Sequence, residues 1–183
     1  MKQDYNVEVE WRPFELHPEF PPEGWRPPPE YWARYADSTE RLTRLAAELE
    51  MPYVRRDVLP SSRRALEASE YARAQGKHEP FHTAVFSKYF GGGLDIGSWD
   101  VLSDAAREVG LDADEMRRLT DAGTYAMRLD ALVAESRALG ITGVPAYIFG
   151  GKYAIVGLQS EEMFHKAMSL LQSELEAEGG EAS

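Results

Sequence analysis

The sequence predicts an α/β protein in which a small sheet is interrupted by an inserted block of helices. Three observations support this prediction. Residues 5–12 alternate apolar and polar side chains, which is typical of a half-buried strand. Residues 30–139 repeat apolar side chains at helical spacing. Residues 141–159 contain two short apolar runs on either side of a Gly-Gly pair, which predicts a hairpin.

Between the first strand and the helices lies a proline-rich stretch. Residues 13–30 hold seven of the eleven prolines, so we expect an extended surface segment there. A helix is predicted from about Glu30 to Glu50, since the residue before Pro52 disfavours helical backbone. Ser61 or Ser62 is the expected N-cap of the next helix.

Glycine and serine residues divide the rest of the chain into further helices. Gly76 and Gly140 are expected just after two helix ends, and Ser98 as an N-cap. A last helix is predicted from Ser160, followed by a frayed tail over residues 176–183. The intervening predicted helices span residues 61–75, 81–90, 98–109, 112–119 and 121–139.

Composition and charge restrict the possible functions. The 183 residues include 20 Lys and Arg against 31 Asp and Glu, a net charge of −11, which argues against nucleic-acid binding. No apolar run approaches the roughly 20 residues that cross a bilayer, and the N-terminal residues do not resemble a signal peptide. We therefore expect a cytoplasmic protein. With no cysteine, the chain forms no disulfide, thiolate metal site or cysteine nucleophile.

One segment formally matches a zinc-protease motif. His78-Glu79-Pro80-Phe81-His82 fits H-E-x-x-H, in which both histidines must share one face of a helix. Pro80 is best accommodated at the first helical position, which would leave His78 outside the helix. We therefore expect a chance match, and predict neither a metal nor a cofactor.

Several blocks together resemble the DsbA-like thioredoxin proteins of the FrnE type over nearly the full length. This resemblance implies a thioredoxin-like fold with a helical insertion and thiol–disulfide oxidoreductase activity on protein or peptide substrates. It also implies a Cys-x-x-Cys motif that opens the first helix after an N-terminal strand. The blocks are WRPFELHPEFPPEGW (11–25), SSRRALEASEYARAQGK (61–77), FHTAVFSKYF (81–90), LDIGSWDVLSDAAREVGLD (94–112) and ITGVPAYIFGGKYAIVGLQ (141–159).

The sequence departs from the family at its N-terminus. Only Met1–Asp4 precede the strand expected to be second in the fold, so we expect the first strand and the Cys-x-x-Cys helix to be absent. The resemblance implies two parts. Residues 1–60 and 141–183 form an incomplete thioredoxin-like part, and residues 61–140 form the inserted helical domain. Without its central strand, the sheet is expected to expose unpaired edges that favour dimerisation.

What the resemblance still carries over is the proline loop. It implies that the Val144–Pro145 bond is cis, just before a strand beginning near Ala146. It also implies that Thr142, Gly143, Val144 and Pro145 bind an extended substrate through backbone groups, much as strand addition does.

Besides a zinc hydrolase, which metal analysis would test, three functional interpretations remain open. The chain is a member of the oxidoreductase family that is redox-inactive alone, since disulfide exchange needs a thiolate. Alternatively, it is a non-catalytic module that binds peptides or proteins. A third alternative is a relative of glutathione-dependent isomerases or transferases. None of these interpretations involves nucleic acid or a membrane.

Overall fold

The computed structural model describes residues 4–180, with side chains described up to residue 177. One antiparallel hairpin follows a series of helices, and a final helix follows the hairpin. The elements are α1 (Pro29–Arg34), α2 (Ala36–Glu48), α3 (Arg63–Ala74), α4 (His78–Phe86), a π-helical turn (Ser87–Gly91), α5 (Trp99–Glu108), α6 (Ala113–Asp121), α7 (Ala126–Ala138), β1 (Ala146–Phe149), β2 (Tyr153–Val156) and α8 (Glu161–Gly180).

The chain divides into two compact units. The helical unit is His17–Val133, and it is continuous in sequence. The hairpin unit combines the described residues up to Leu16 with those from Ala134 onward. The sequence prediction assigned residues 17–60 to the thioredoxin-like part. The predicted division separates family domains, whereas the division described here separates compact units. The second does not test the first, which stays a prediction.

The helical unit has its own hydrophobic core. Small residues on α3, among them Ala68 and Ala72, are fully buried and allow α4 and α6 to approach closely. Four of the largest fully buried apolar side chains come from four different helices and pack in the core between α3, α4, α5 and α6. These side chains are Tyr71, Phe81, Leu102 and Met116.

The predicted strand at residues 5–12 is wrong. No backbone ladder involves these residues within the part of the chain that the structure describes, and Val9 and Trp11 are exposed. The physical reason is that alternation supplies a strand's side chains but not its partner, and no described strand lies beside this segment. Side-chain contacts hold the segment instead. The Tyr5 hydroxyl lies 3.0 Å from Nδ1 of His165, and Arg12 pairs with Glu135 at 3.0 Å.

Most helix boundaries follow the predicted signals. Gly76 and Gly140 adopt positive φ just beyond the ends of α3 and α7, and the Ser98 hydroxyl accepts a hydrogen bond from the Asp100 N–H. Ser62 precedes α3 as expected, but it makes no side-chain cap hydrogen bond.

Three predicted helices need correction. The helix expected from Glu30 to Glu50 is broken at Tyr35, whose φ of −103° and ψ of 13° lie outside the helical region. The helix expected from residue 121 begins only at Ala126, because Gly123 has a φ of +70° and ends α6 first. The expected tail is helical through Gly180, and residues 181–183 lie outside the described residues.

The hairpin of β1 and β2 packs against α8. Register pairs Ala146 with Val156 and Phe149 with Tyr153. Aromatic contacts join one face of the hairpin to Phe164 on α8, with a centroid distance of 4.8 Å to Tyr147. An added Cβ at Gly150, whose φ is +55°, would lie 2.7 Å from a Leu171 methyl carbon. Glycine at this turn therefore allows α8 to lie close to the hairpin.

No helix within residues 4–180 is long and apolar enough to cross a lipid bilayer.

The buried Tyr71 hydroxyl makes stability sensitive to alkaline pH. Burial, followed by the hydrogen bond to Glu115, raises the pKa of Tyr71 to about 12. A raised phenol pKa stabilises the folded state below about pH 10, and this contribution is lost as the pH rises towards 12. We expect the stability difference between wild type and Tyr71→Phe to fall by up to about 1.4 kcal/mol per pH unit in that window. Urea unfolding between pH 9 and 12 measures it, and a constant difference would contradict the assignment.

Candidate functional site

The loop before β1 is anchored at its start. α7 ends at Ala138, and Gly140 turns the chain with a φ of +79°. The next residue, Ile141, is buried, and its N–H donates to the Ser136 carbonyl at 3.1 Å. This arrangement is the usual termination of a helix at glycine, and it fixes where the following residues Thr142–Pro145 leave the helix.

The loop ends in a cis proline. The peptide bond between Val144 and Pro145 is cis, as the sequence predicted. The Pro145 carbonyl accepts a hydrogen bond from the Gly157 N–H at 2.8 Å, which extends the pairing of β1 and β2 by one residue pair. β1 then begins at Ala146, the predicted position.

Val144 presents unpaired backbone groups at the outer edge of the loop. Within residues 4–180, neither its N–H nor its carbonyl forms a hydrogen bond, and the residue is 49% exposed. The four residues predicted to bind substrate, Thr142–Pro145, are contiguous in the loop between α7 and β1. The structure therefore brings the predicted site together, while its role in binding stays a prediction.

The unpaired edge continues along β1. Pro145 and Gly157 form a hydrogen-bonded pair. Because hydrogen-bonded and non-hydrogen-bonded pairs alternate along an antiparallel ladder, the backbone groups of residues 147 and 149 also bond to β2, and those of the residues between them point away from it. The N–H and carbonyl groups of Ala146 and Ile148 therefore lie on the side of β1 away from β2. Among the described residues the sheet has only two strands, so no strand covers this side. The predicted sheet with an unpaired edge is confirmed for β1, whereas its pairing with a second copy stays a prediction.

The residues of β1 that contribute to this edge were not named from the sequence. Ala146 and Ile148 are identified only once the register with β2 is known. A partial signal was nevertheless present, because backbone direction alternates along a strand, so Ala146 and Ile148, two residues apart in the predicted strand, point the same way. Ile148 is also half exposed, so an apolar side chain lies beside the open backbone groups.

An interaction between β2 and α8 supports the hairpin from its other side. Tyr153 donates a hydrogen bond to Glu174, and Lys152 pairs with the same carboxylate at 3.2 Å. The hydrogen bond from Tyr153 lowers the pKa of Glu174 and raises that of the tyrosine. This carboxylate is therefore held in its charged form, and the hairpin is attached to α8 at its turn.

His78 of the zinc-protease motif lies inside a helix, contrary to the sequence prediction, and shares one face of it with His82. α4 begins at His78, which places Pro80 at the third helical position, and the rings of His78 and His82 lie 6.0 Å apart. Proline is tolerated there because the first N–H groups of a helix have no partner within it. Arg73 lies 3.0 Å from Nε2 of His78.

These two histidines do not extend into a larger ligand cluster. Within residues 4–180, no three His, Cys, Asp or Glu side chains are placed to share a metal ion. Burial lowers the pKa of both rings, and the charge of Arg73 lowers that of His78 further. The pair is thus held neutral near physiological pH and packs against Phe86, whose ring lies 4.1 Å from that of His82.

Comparison with known proteins gives consistent matches over most of the chain. A family model described as a DSBA-like thioredoxin domain matches residues 1–169. The uncharacterized protein YwbO of Bacillus subtilis is 30% identical over 167 residues, which cover 90% of this chain and 82% of YwbO.

Solved structures agree with these matches. A probable DsbA oxidoreductase from Streptomyces coelicolor aligns with a TM-score of 0.77 and 27% identity, over 89% of this chain and 74% of that protein. A 2-hydroxychromene-2-carboxylate isomerase aligns with a TM-score of 0.76 and 18% identity, over 96% of this chain and 86% of the isomerase. Because its identity is only 18%, the second alignment shows a similarity of fold alone. Together the matches confirm the predicted α/β, thioredoxin-like fold class.

Proposed function

Because the chain belongs to the DSBA-like thioredoxin domain family, we propose that it binds extended peptide segments of protein substrates along the open edge of β1, and that these 183 residues perform no disulfide exchange by themselves. The observation that carries the proposal is the row of unpaired backbone groups at Val144, Ala146 and Ile148 beside Pro145. An extended peptide can pair with such a row as an added strand.

The redox part of the proposal follows from the composition. Disulfide exchange requires a thiolate that attacks a disulfide sulfur and forms a mixed disulfide. The chain has no cysteine, and a hydroxyl such as that of Thr142 does not form a reversible bond to sulfur. Insulin reduction and refolding of reduced ribonuclease measure this directly. Turnover above a buffer control would contradict this part of the proposal and leave peptide binding open.

Peptide binding is tested by removing one outward N–H from the edge. Proline is tolerated in a strand where the N–H does not bond within the sheet, so Ile148→Pro removes a donor for the peptide while the hairpin's own hydrogen bonds remain. We expect at least tenfold weaker binding of fluorescent ten-residue peptides with alternating apolar residues, measured by anisotropy. Binding should weaken because the peptide loses one backbone hydrogen bond to β1 and because the proline obstructs pairing of the peptide in that register.

Two matched variants separate backbone pairing from other effects. Ala154 lies opposite Ile148 in the register, and its N–H points out of the other side of the hairpin. Ala154→Pro therefore introduces a comparable strain but should leave binding within about twofold of wild type. Ile148→Ala retains the N–H and removes only the side chain. Equal loss in both proline variants would show that the β1 edge is not the binding site.

The same titration distinguishes the alternatives. Glutathione is included as a competitor. The proposal is supported if glutathione displaces the peptide only at concentrations far above the peptide's dissociation constant. Tight glutathione binding without peptide binding would instead favour the isomerase or transferase alternative. Sedimentation at the same protein concentrations shows whether the chain forms a dimer. If a second copy occupies the β1 edge, Ile148→Pro should convert that dimer into a monomer.

A further inference from the structure

The helical unit contains a cavity of about 280 Å³ that is separate from the β1 edge. It lies between the first turn of α3, the loop before α5 and the end of α6. Typical small-molecule sites have volumes of roughly 300–1,000 Å³, so this cavity is suited to a small compound. Its polar lining comes from Ser61, Arg63, Arg64, Glu67, Thr120 and Asp121.

Thr120 is the first sign that the cavity has an occupant. Thr120 is one of the residues that border the cavity and is 94% buried, and among the described residues its hydroxyl has no hydrogen-bond partner. Each of the other three threonines within the described helices donates to the carbonyl four residues earlier, at 2.8–3.0 Å. Thr120 does not make that bond. A buried hydroxyl without a partner is unfavourable unless something absent from the protein chain completes it.

Arg64 is the second sign. Its guanidinium stacks on the Trp99 ring at 5.1 Å and donates one hydrogen bond, to the Gly97 carbonyl. No carboxylate of the described residues forms an ion pair with it, in contrast to Arg63, which pairs with Glu67 and Asp130 at 2.5 Å. Arg64 is thus a half-buried cation at the cavity wall with donors left for an anion.

The start of α3 adds further donors to the same region. Ser62 precedes the helix without making a side-chain cap hydrogen bond. The first N–H groups of a helix lack partners within it, and the N-terminus favours a negative charge. Arg64, Thr120 and the first turn of α3 therefore border the same cavity.

The remaining polar residues restrict what that anion can be. The carboxylates of Glu67 and Asp121 also line the cavity, and both already accept hydrogen bonds, from Arg63 and from Trp99. They disfavour a doubly charged phosphate and favour a ligand that also carries a donor. We propose that this cavity binds a small carboxylic acid bearing a hydroxyl or ammonium group, with its carboxylate at Arg64 and Thr120.

The test is a titration of the full 183-residue chain followed by amide resonances in ¹H–¹⁵N NMR spectra at constant ionic strength. The probes are L-serine and lactate, each with acetate and inorganic phosphate as comparisons. We expect serine or lactate to shift the amides of residues 61–65 and Thr120 in a saturable way. Acetate, which lacks the donor, and phosphate should bind at least tenfold more weakly.

Three variants locate the site. Arg64→Gln should weaken binding at least tenfold, whereas Arg107→Gln, an exposed charge-matched control on α5, should not change it. Thr120→Val should weaken binding without lowering the Tm of the free protein, since it removes only an unpaired hydroxyl. Thr120→Ser retains that hydroxyl and should retain binding.

Several results would overturn the proposal. These are the absence of saturable shifts with both acids, phosphate or acetate binding as tightly as they do, and unchanged binding in Arg64→Gln. A lower Tm of free Thr120→Val together with unchanged binding would show that the hydroxyl has a structural role only. Every residue involved lies in the helical unit, so these results are independent of peptide binding at β1.

Discussion

Replacing Phe81 by alanine is expected to destabilise the helical unit by about 3–5 kcal/mol. The Phe81 side chain has no solvent exposure and packs in the core formed by α3, α4, α5 and α6. Truncation removes the transfer free energy of the ring and leaves a cavity that rigid neighbours fill only in part. For a chain of this length the Tm should fall by roughly 6–20 °C.

Phe86, on the same helix, provides a matched control. Its side chain is 49% exposed, so Phe86→Ala should change the unfolding free energy by less than about 1 kcal/mol. Both variants can be measured by urea unfolding monitored by circular dichroism, which reports mainly the helices. Similar losses for the two variants would mean that the core is not where the structure places it.

The second large effect concerns a buried carboxylate. The side chain of Glu70 has no solvent exposure, and its two oxygens pair with Arg73 at 3.2 Å and Arg128 at 2.7 Å. Removing both cations in an Arg73→Leu/Arg128→Leu variant leaves a buried charge without compensation. We expect a loss of about 3–5 kcal/mol, because an unpaired buried ion is far less stable than a paired one.

The same chain offers an internal rescue of that variant. Adding Glu70→Leu removes the isolated charge, and a well-packed apolar group at a buried ionic site is often neutral or stabilising. The triple variant should therefore regain most of the lost stability, as judged by the denaturant midpoint. If it is as unstable as the double variant, then packing by the arginine stems, rather than charge, holds these helices together.

The helices could be predicted from sequence because their signals are local. Apolar spacing and a glycine after the last turn determine where a helix such as α3 begins and ends, whatever lies elsewhere in the chain. The break at Tyr35 has no such signal, since neither proline nor glycine is near it. The alternation over residues 5–12 was equally clear but insufficient, because a strand requires a neighbour supplied by another part of the chain.

The same distinction applies to the two candidate sites. The loop Thr142–Pro145 is contiguous, so its motif could be recognised and its position before β1 predicted. The cavity in the helical unit combines Arg64 with Thr120, 56 positions later (120 − 64). Sequence spacing does not indicate that these residues meet, and the missing hydrogen bond of Thr120 is visible only in three dimensions.

The division into a continuous and a discontinuous unit has a consequence for how the chain is made. Every residue of the helical unit, His17–Val133, has been synthesised before Ala134 is added. The other unit joins residues before His17 to residues after Val133, an intervening length of 117 residues (133 − 17 + 1). Closing so long a flexible loop would cost about 4 kcal/mol in chain entropy. If the helical unit folds first, that loop is effectively shorter when Tyr5 contacts His165, and the entropic cost of closing it is smaller.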